Sequence, residues 1–274
     1  MIIWIASYPK SGNTWIRSFL SHYLYSDKHE FNFELLKNIK TFPDHRELNF
    51  LRKKYNNKFK FLDMVNHWDF FQTEISKKET TFLKTHNALV TINNCAFTSS
   101  KNTLGLIYII RDPRDVVISY SHHLAKNYEE TFEIMKIDSM EKTKDELNYS
   151  FLTNWSNHYK SWKAFPIDKL FLKYEDLVNN TEKELTKVIK YLNGICKIQF
   201  SRKKILESIE ATNFANLQKL ENRDSFYENP KMTKDQKFFR NGTTNQWKKT
   251  LSRDLINKIQ KEFGQTMKEN GYEL

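Results

Sequence analysis

The sequence predicts an α/β fold: a central, mainly parallel sheet flanked by helices, in a single domain over residues 1–274. Three observations predict it. Short apolar runs end in polar turns, as buried strands do. Segments of helical periodicity follow those runs, and that alternation belongs to a parallel sheet covered on both faces. The chain has 274 residues, 39% of them hydrophobic and 15% aromatic, enough for one full core. It holds 6 Gly and 5 Pro, with no repeat, low-complexity block or Pro/Gly-rich linker, so regular elements should dominate.

Taken in order, "IIWIAS" (Ile2 to Ser7) is a buried strand. From Thr14 to Tyr25, residues Trp15, Ile16, Phe19, Leu20, Tyr23 and Leu24 recur at helical spacing. Residues 26 to 80 break the rhythm, read as mainly helical, and form an insertion that either walls a pocket or adds a packing layer. "TFLKT" (Thr81 to Thr85) and "LGLIYIIR" (Leu104 to Arg111) are the next strands. "RDPRDVVISYSHHLAK" starts a helix capped by Asp112, with Pro113 in the first turn, where a missing N–H costs nothing. "DELNYSFLTNWSNHYKSWKAF" reads as one long amphipathic helix. "KLFLKY" is a fourth strand, followed by a helix from about Glu175 to Leu192. "SRDLINKIQKEFGQTMKENG" is a helix with a Ser cap and a Gly stop.

No apolar stretch is long enough to cross a bilayer, and "MIIWIAS" lacks the basic leader and cleavage site of a signal peptide. Cys95 and Cys196 suggest no disulfide framework, and no Cys/His cluster has zinc spacing, so a cytoplasmic location is expected. The formal net charge is +11, spread along the chain without a dense basic tail. It reads either as the mark of an anionic partner or as plain Lys-, Asn- and Ile-rich composition, and local anion sites decide the matter better.

Four stretches carry chemistry. "YPKSGNTW" lies between a strand and a helix, where unpaired N–H groups and the helix dipole make an anion site. Gly12 permits the tight turn, Ser11 and Thr14 add hydroxyls, and Lys10 adds charge. The pattern is not the Walker loop, because the Lys precedes the only Gly. "IIRDPRDVVISY" puts Arg111 at a strand end, the usual ligand edge of a parallel sheet, with Ser119 eight residues on. Arg111 either grips a second phosphate or pairs with Asp112 or Asp115. "FLKTH" brings Lys84 and His86 to one side of a strand end, and a His there can serve as general base. "RNGTTNQWKK" is a polar loop carrying Arg240.

Together these motifs resemble the sulfotransferases that use 3'-phosphoadenosine 5'-phosphosulfate (PAPS), the cytosolic type and its bacterial relatives. "YPKSGNTW" is similar to the family's 5'-phosphosulfate loop, YPKSGTTW, and "IRDPRDVVISY" to its 3'-phosphate motif. "KTH" matches the stretch with the catalytic Lys and His, and "KYEDL" the family's YEDL. "ATNFANLQ" resembles T-S-F-x-x-M, and "RNGTTNQWKK" resembles R-K-G-x-x-G-D-W-K-N. The six occur in family order from Tyr8 to Lys249. Asn13 stands where the family has Thr, Asn241 where it has Lys, and Asn245–Gln246 where it has Gly-Asp. The dimer motif K-x-x-x-T-V-x-x-x-E is degraded, with Ser252, Arg253 and Asn257 in its Thr, Val and Glu places, which leaves the oligomeric state open.

The resemblance implies a P-loop-kinase-like sheet and in-line sulfuryl transfer from PAPS to a hydroxyl or amine, with 3'-phosphoadenosine 5'-phosphate (PAP) as product and no metal. It implies that His86 takes the acceptor's proton, Lys10 stabilises the leaving phosphate, Lys84 holds sulfuryl oxygens, and Ser119 restrains Lys10. Ser11, Gly12, Asn13 and Thr14 would bind the 5'-phosphate; Arg111, Ser119, Arg240, Asn241 and Gly242 the 3'-phosphate. Trp15 and Phe214 would sandwich adenine, with Thr212 and Tyr174 at its edge. The acceptor would be a small molecule or a glycan. Trp68, Phe70, Phe71, Tyr128 and Phe132 would wall an apolar pocket or pack in the core; a basic cleft would suit a glycan. Two rival classes are weaker. A P-loop kinase needs the absent Walker loop, and a nucleic-acid-binding protein needs a basic patch interleaved with aromatics, which is not seen.

Overall fold

The computed structural model describes residues 1–77, 79–142, 149–228 and 237–274. In chain order the elements begin with β1 (Ile2–Ser7), α1 (Asn13–Tyr25), a 3-10 turn (Phe33–Asn38) and β2 (Lys40–Thr41). There follow α2 (His45–Lys54), α3 (Phe61–Asn66), α4 (Trp68–Ser76), β3 (Thr81–Thr85), β4 (Thr91–Ile92), β5 (Cys95–Ala96) and β6 (Thr103–Ile110). Next come α5 (Pro113–Leu124), α6 (Tyr128–Lys136), β7 (Met140–Lys142), β8 (Tyr149–Phe151), α7 (Trp155–Ala164) and β9 (Lys169–Lys173). The chain closes with α8 (Tyr174–Asn179), α9 (Thr181–Cys196), α10 (Arg202–Ala211), α11 (Phe214–Asp224), α12 (Trp247–Thr250) and α13 (Arg253–Glu269).

The main sheet has five strands in the order β2-β3-β1-β6-β9, and every pairing in it is parallel. β1 lies at its centre, buried along its whole length. The two-residue side-chain period divides β1 between two cores. Ile2, Trp4 and Ala6 enter the face that holds Trp68, Trp155 and Phe263; Ile3 and Ile5 enter the face that holds Phe19, Val188 and Leu192. β6 repeats the division, with Leu106 and Tyr108 on the first face and Ile107 and Ile109 on the second. The α/β class and mainly parallel sheet expected from the sequence therefore hold.

Caps follow the sequence closely. Asp112 accepts from the Arg114 N–H, with Pro113 opening α5, and Ser252 accepts from the Leu255 N–H at the start of α13. Three expectations need correction. The long helix of residues 145–165 shrinks to α7: residues 149–151 pair with β7 instead, and 145–148 lie outside the described residues. Asn154, whose side chain accepts from the Asn157 N–H, starts α7 and explains the boundary. The helix after β9 divides into α8 and α9 at Asn180, whose backbone is non-helical. The described part of segment 26–80 is mainly helical, but it also adds β2, a two-residue strand that joins the sheet edge. Two residues are too few to show a period in sequence.

Candidate active site

At the carboxyl end of the sheet, β1, β3 and β6 feed one cavity of about 1130 Å³. Lys10, Gly12, Asn13, Thr14, Trp15, Lys84, His86, Arg111, Ser119, Tyr174, Phe214, Arg240, Asn241 and Gly242 all line it. Two expected residues do not. Ser11 is buried just behind the loop. Thr212 is fully buried and donates its hydroxyl to the Ser208 carbonyl (2.6 Å), so it is committed to the end of α10 rather than to an adenine edge.

The loop between β1 and α1 is built for close approach. Gly12 has φ 101°, and a Cβ there would lie 2.6 Å from the Tyr174 ring. Lys10 also adopts a left-handed φ, 64°, and its ammonium lies over the Phe238 ring at 4.0 Å. The Ser11 Oγ is buried without a hydrogen-bond partner among the described residues. Such an orphaned hydroxyl beside a helix start fits a phosphate-type group. The Asn13 side chain faces elsewhere: its amide donates to the Ile5 carbonyl (3.1 Å) and to Ser7 Oγ (3.2 Å). What Asn13 offers an anion is therefore its backbone.

Arg111 lies near the charge of Asp115 and makes its hydrogen bonds to the backbone. It donates to the Lys10 carbonyl (3.1 Å) and the Thr243 carbonyl (3.1 Å), and it stacks on the Tyr174 ring at 4.3 Å. Asp112 instead holds Arg114 (2.7 Å), and Asp115 accepts from the Asn245 N–H (2.7 Å) and the Trp247 N–H (3.0 Å). The Arg111 Nε stays buried with no partner among the described residues, a second donor that fits an anion. Burial first, and then the neighbouring Arg111 charge, push the Arg240 guanidinium below its usual value. Arg240 also contacts His122. Gly242, at φ 62°, brings its backbone against Phe214; a Cβ there would lie 2.6 Å from the ring. The two sequence departures in this loop answer each other, since Asn241 donates to Gln246 Oε1 (2.9 Å).

His86 follows β3 directly. Its Nδ1 lies 2.8 Å from the Ser7 carbonyl and 3.4 Å from Ser7 Oγ. A carbonyl only accepts, so Nδ1 carries the proton and Nε2 is the ring's basic nitrogen. Burial, reinforced by the Lys84 charge, holds the imidazole well below its usual pKa, so it is neutral at pH 7. Its carbonyl accepts from His158 Nε2 (3.0 Å), and His158 Nδ1 accepts from the Tyr108 hydroxyl (2.8 Å). Lys84 lies 4.0 Å from Glu228, which also pairs with buried Arg17.

Sequence reasoning names Asp115 only as an alternative partner of Arg111 and does not single out Arg17, Glu228 or His158. Arg17 leaves one trace in sequence: a charge inside the apolar periodicity of α1, between Ile16 and Phe19. Glu228 and His158 leave none, because their partners are distant in the chain.

The chain is similar to known proteins in sequence and in fold. The family model described as "Sulfotransferase domain" matches residues 2–271. The chain is 24% identical to flavonol 3-sulfotransferase of Flaveria bidentis over 275 residues, covering 94% of this chain and 79% of that one. It is 27% identical to sulfotransferase 1E1 of Homo sapiens over 274 residues, covering 97% and 83%. Its fold is similar to mouse sulfotransferase SULT7A1 complexed with PAP (TM-score 0.63, 18% identity, 97% of this chain and 84% of that one). It is also similar to retinol dehydratase in complex with androsterone and PAP (TM-score 0.64, 19% identity, 100% and 82%).

Proposed function

The chain belongs to the sulfotransferase domain family, and from that membership we propose that it transfers a sulfuryl group from PAPS to a hydroxyl or amine. One observation carries the reading: two cationic anion-binding clusters and a neutral imidazole line the same cavity. The Ser11 Oγ and Arg111 Nε, without partners among the described residues, fit the two phosphate ends of the nucleotide. Trp15, Tyr174 and Phe214 supply aromatic faces between those ends. In this reading residues 1–274 act as one cytoplasmic domain.

Each residue then has a chemical task. His86 Nε2 takes the acceptor's proton as the acceptor oxygen or nitrogen bonds to sulfur. Ser7 holds the ring through Nδ1 and so fixes the tautomer. The bond from sulfur to the bridging oxygen of the 5'-phosphate breaks, and Lys10 stabilises the charge left on that phosphate. Lys84 steadies the sulfuryl oxygens. Arg111 and Arg240 hold the 3'-phosphate. Arg111 is already fixed by the Lys10 and Thr243 carbonyls, so little ordering is needed when the anion arrives.

The test has two arms. Calorimetry should show PAP binding at least about tenfold tighter than adenosine 5'-phosphate, because one charge-assisted contact is worth roughly that much. Labelled sulfate should pass from PAPS to a member of an acceptor panel. Equal affinity for the two nucleotides would overturn the 3'-phosphate site, and absence of transfer across the panel would count against the activity.

A further inference from the structure

We propose that the acceptor carries an anionic group of its own, beside the hydroxyl or amine that is sulfated; the inference rests on the sulfuryl-transfer reading above. The cavity continues past Lys84 and His86 to a wall formed by the 3-10 turn, β2 and the start of α2. The aromatics that the sequence offered for an apolar pocket do not line it. Trp68, Phe71 and Phe132 are buried in the core beneath the sheet, and Phe70 is exposed. Pro43 and Leu48 on this wall, with Tyr227 beside Arg17, supply apolar surface, and Lys37, Lys40, Asp44, His45 and Arg46 supply the charged and titratable groups.

Lys40 is the informative residue. It lies on β2 beside Leu83, and the next pair in register is Thr41 with Lys84. The strand order puts it on the far side of β3 from β1 and β6, which carry the phosphate groups' ligands. Two steps of about 4.8 Å separate β2 from β1 and three separate it from β6, which sets Lys40 on the Lys84 side of the cavity. It is half-buried in the wall and has no carboxylate partner among the described residues. The two carboxylates that line the cavity are engaged elsewhere. Asp44 holds Arg46 and the Arg46 N–H, and Glu228 holds Arg17 and lies near Lys84. Arg17 also donates to the Ile39 (2.6 Å) and Leu36 (3.0 Å) carbonyls, so α1 clamps this wall against the nucleotide loop.

A lysine in a cavity wall with no counter-charge among the described residues pairs with a carboxylate, phosphate or sulfate and gains nothing from a neutral phenol. Three matched pairs separate those anions: phenol and 4-hydroxybenzoate, a nitrophenyl glucoside and the glucuronide, glycerol and glycerol 3-phosphate. Binding to the PAP-loaded protein is read by ligand-observed NMR, and transfer by KM at saturating PAPS. In at least one pair the anionic member should bind about tenfold tighter, with the gap narrowing as salt rises. Lys40→Ala should collapse that gap while PAP affinity stays, and Lys40→Arg should keep it. The proposal is overturned if no anionic member binds, if charged and neutral members bind alike, or if Lys40→Ala retains the preference. Failure of PAP itself to bind would overturn the nucleotide reading instead.

Discussion

Lys84 and His86 stand at the end of β3, whose register against β1 runs unbroken from Ile2↔Thr81 to Ala6↔Thr85. Arg240, Asn241 and Gly242 reach the same cavity on a loop tied to the frame by side chains, Gln218 holding its start and Asp115 and Arg111 its end. The first group inherits its position from a backbone ladder set between two cores. The second inherits it from a few side-chain bonds. Replacing a strand-end side chain should therefore remove chemistry and leave binding, whereas cutting a tether should move a whole loop and weaken binding. That contrast can be broken or sharpened by experiment.

The largest expected effect is at His86. His86→Ala should lower transfer about a hundredfold or more, with PAP affinity nearly intact by calorimetry. Near-normal turnover in this variant would remove His86 from the base role. The pH profile adds to the test. Protonated imidazole cannot accept a proton, and its folded pKa is depressed, so the acid limb of kcat/KM should lie well below 6.5. Lys84→Gln removes one cause of the depression, so the limb should move upward. The same shift has a stability consequence. His158 is pushed down to about 4 by burial, so the unfolded chain takes up a proton first. Stability present above pH 6.5 should fall progressively from there to about 4, as thermal melts across that window would show.

Arg111 belongs to both regions, being a strand-end residue that also holds the loop. Arg111→Ala should weaken PAP binding by about one to two orders of magnitude. Adenosine 5'-phosphate, which lacks the 3' group, should be nearly unaffected. Equal losses for both nucleotides would mean that Arg111 supports the fold or the 5' end.

Asp115→Asn tests the tether. The carboxylate accepts two backbone N–H bonds, lies outside the cavity lining and also faces the Arg111 charge, so its loss acts through the loop and through Arg111. PAP affinity should drop about fivefold to tenfold, with the transfer rate at saturation nearly unchanged. A fall in turnover with unchanged affinity would contradict the division drawn here.

The smallest effect should come from Asn13. Its amide braces Ser7, whose carbonyl and hydroxyl flank His86 Nδ1. Asn13→Ala should lower kcat about twofold to threefold through a looser imidazole, leaving PAP affinity in place because the anion meets the backbone at this position. An affinity loss larger than the rate loss would mean that the side chain contacts the nucleotide.

The frame was legible because its signals are local. The apolar run Ile2–Ser7, the Asp112–Pro113 cap and the Ser252 cap each lie within a few residues, and the structure reproduces them. The loop "YPKSGNTW" was legible for the same reason, since a strand end, a glycine turn and a helix start are contiguous. By itself, then, the sequence determined the α/β class, the parallel strands and the candidate anion loop. Tertiary structure decided what distance in the chain conceals. It turned Thr212 inward onto Ser208, and it set Trp68 and Phe71 into the core instead of a pocket. It also brought Glu228 to Arg17, His158 to the His86 carbonyl, and the two-residue strand of Lys40 to the sheet edge beside Lys84. The physical reason is that a side chain's role is fixed by what it meets. Periodicity and capping report only the neighbours within a turn or a strand, while burial and pairing across 70 or more residues depend on how the layers close.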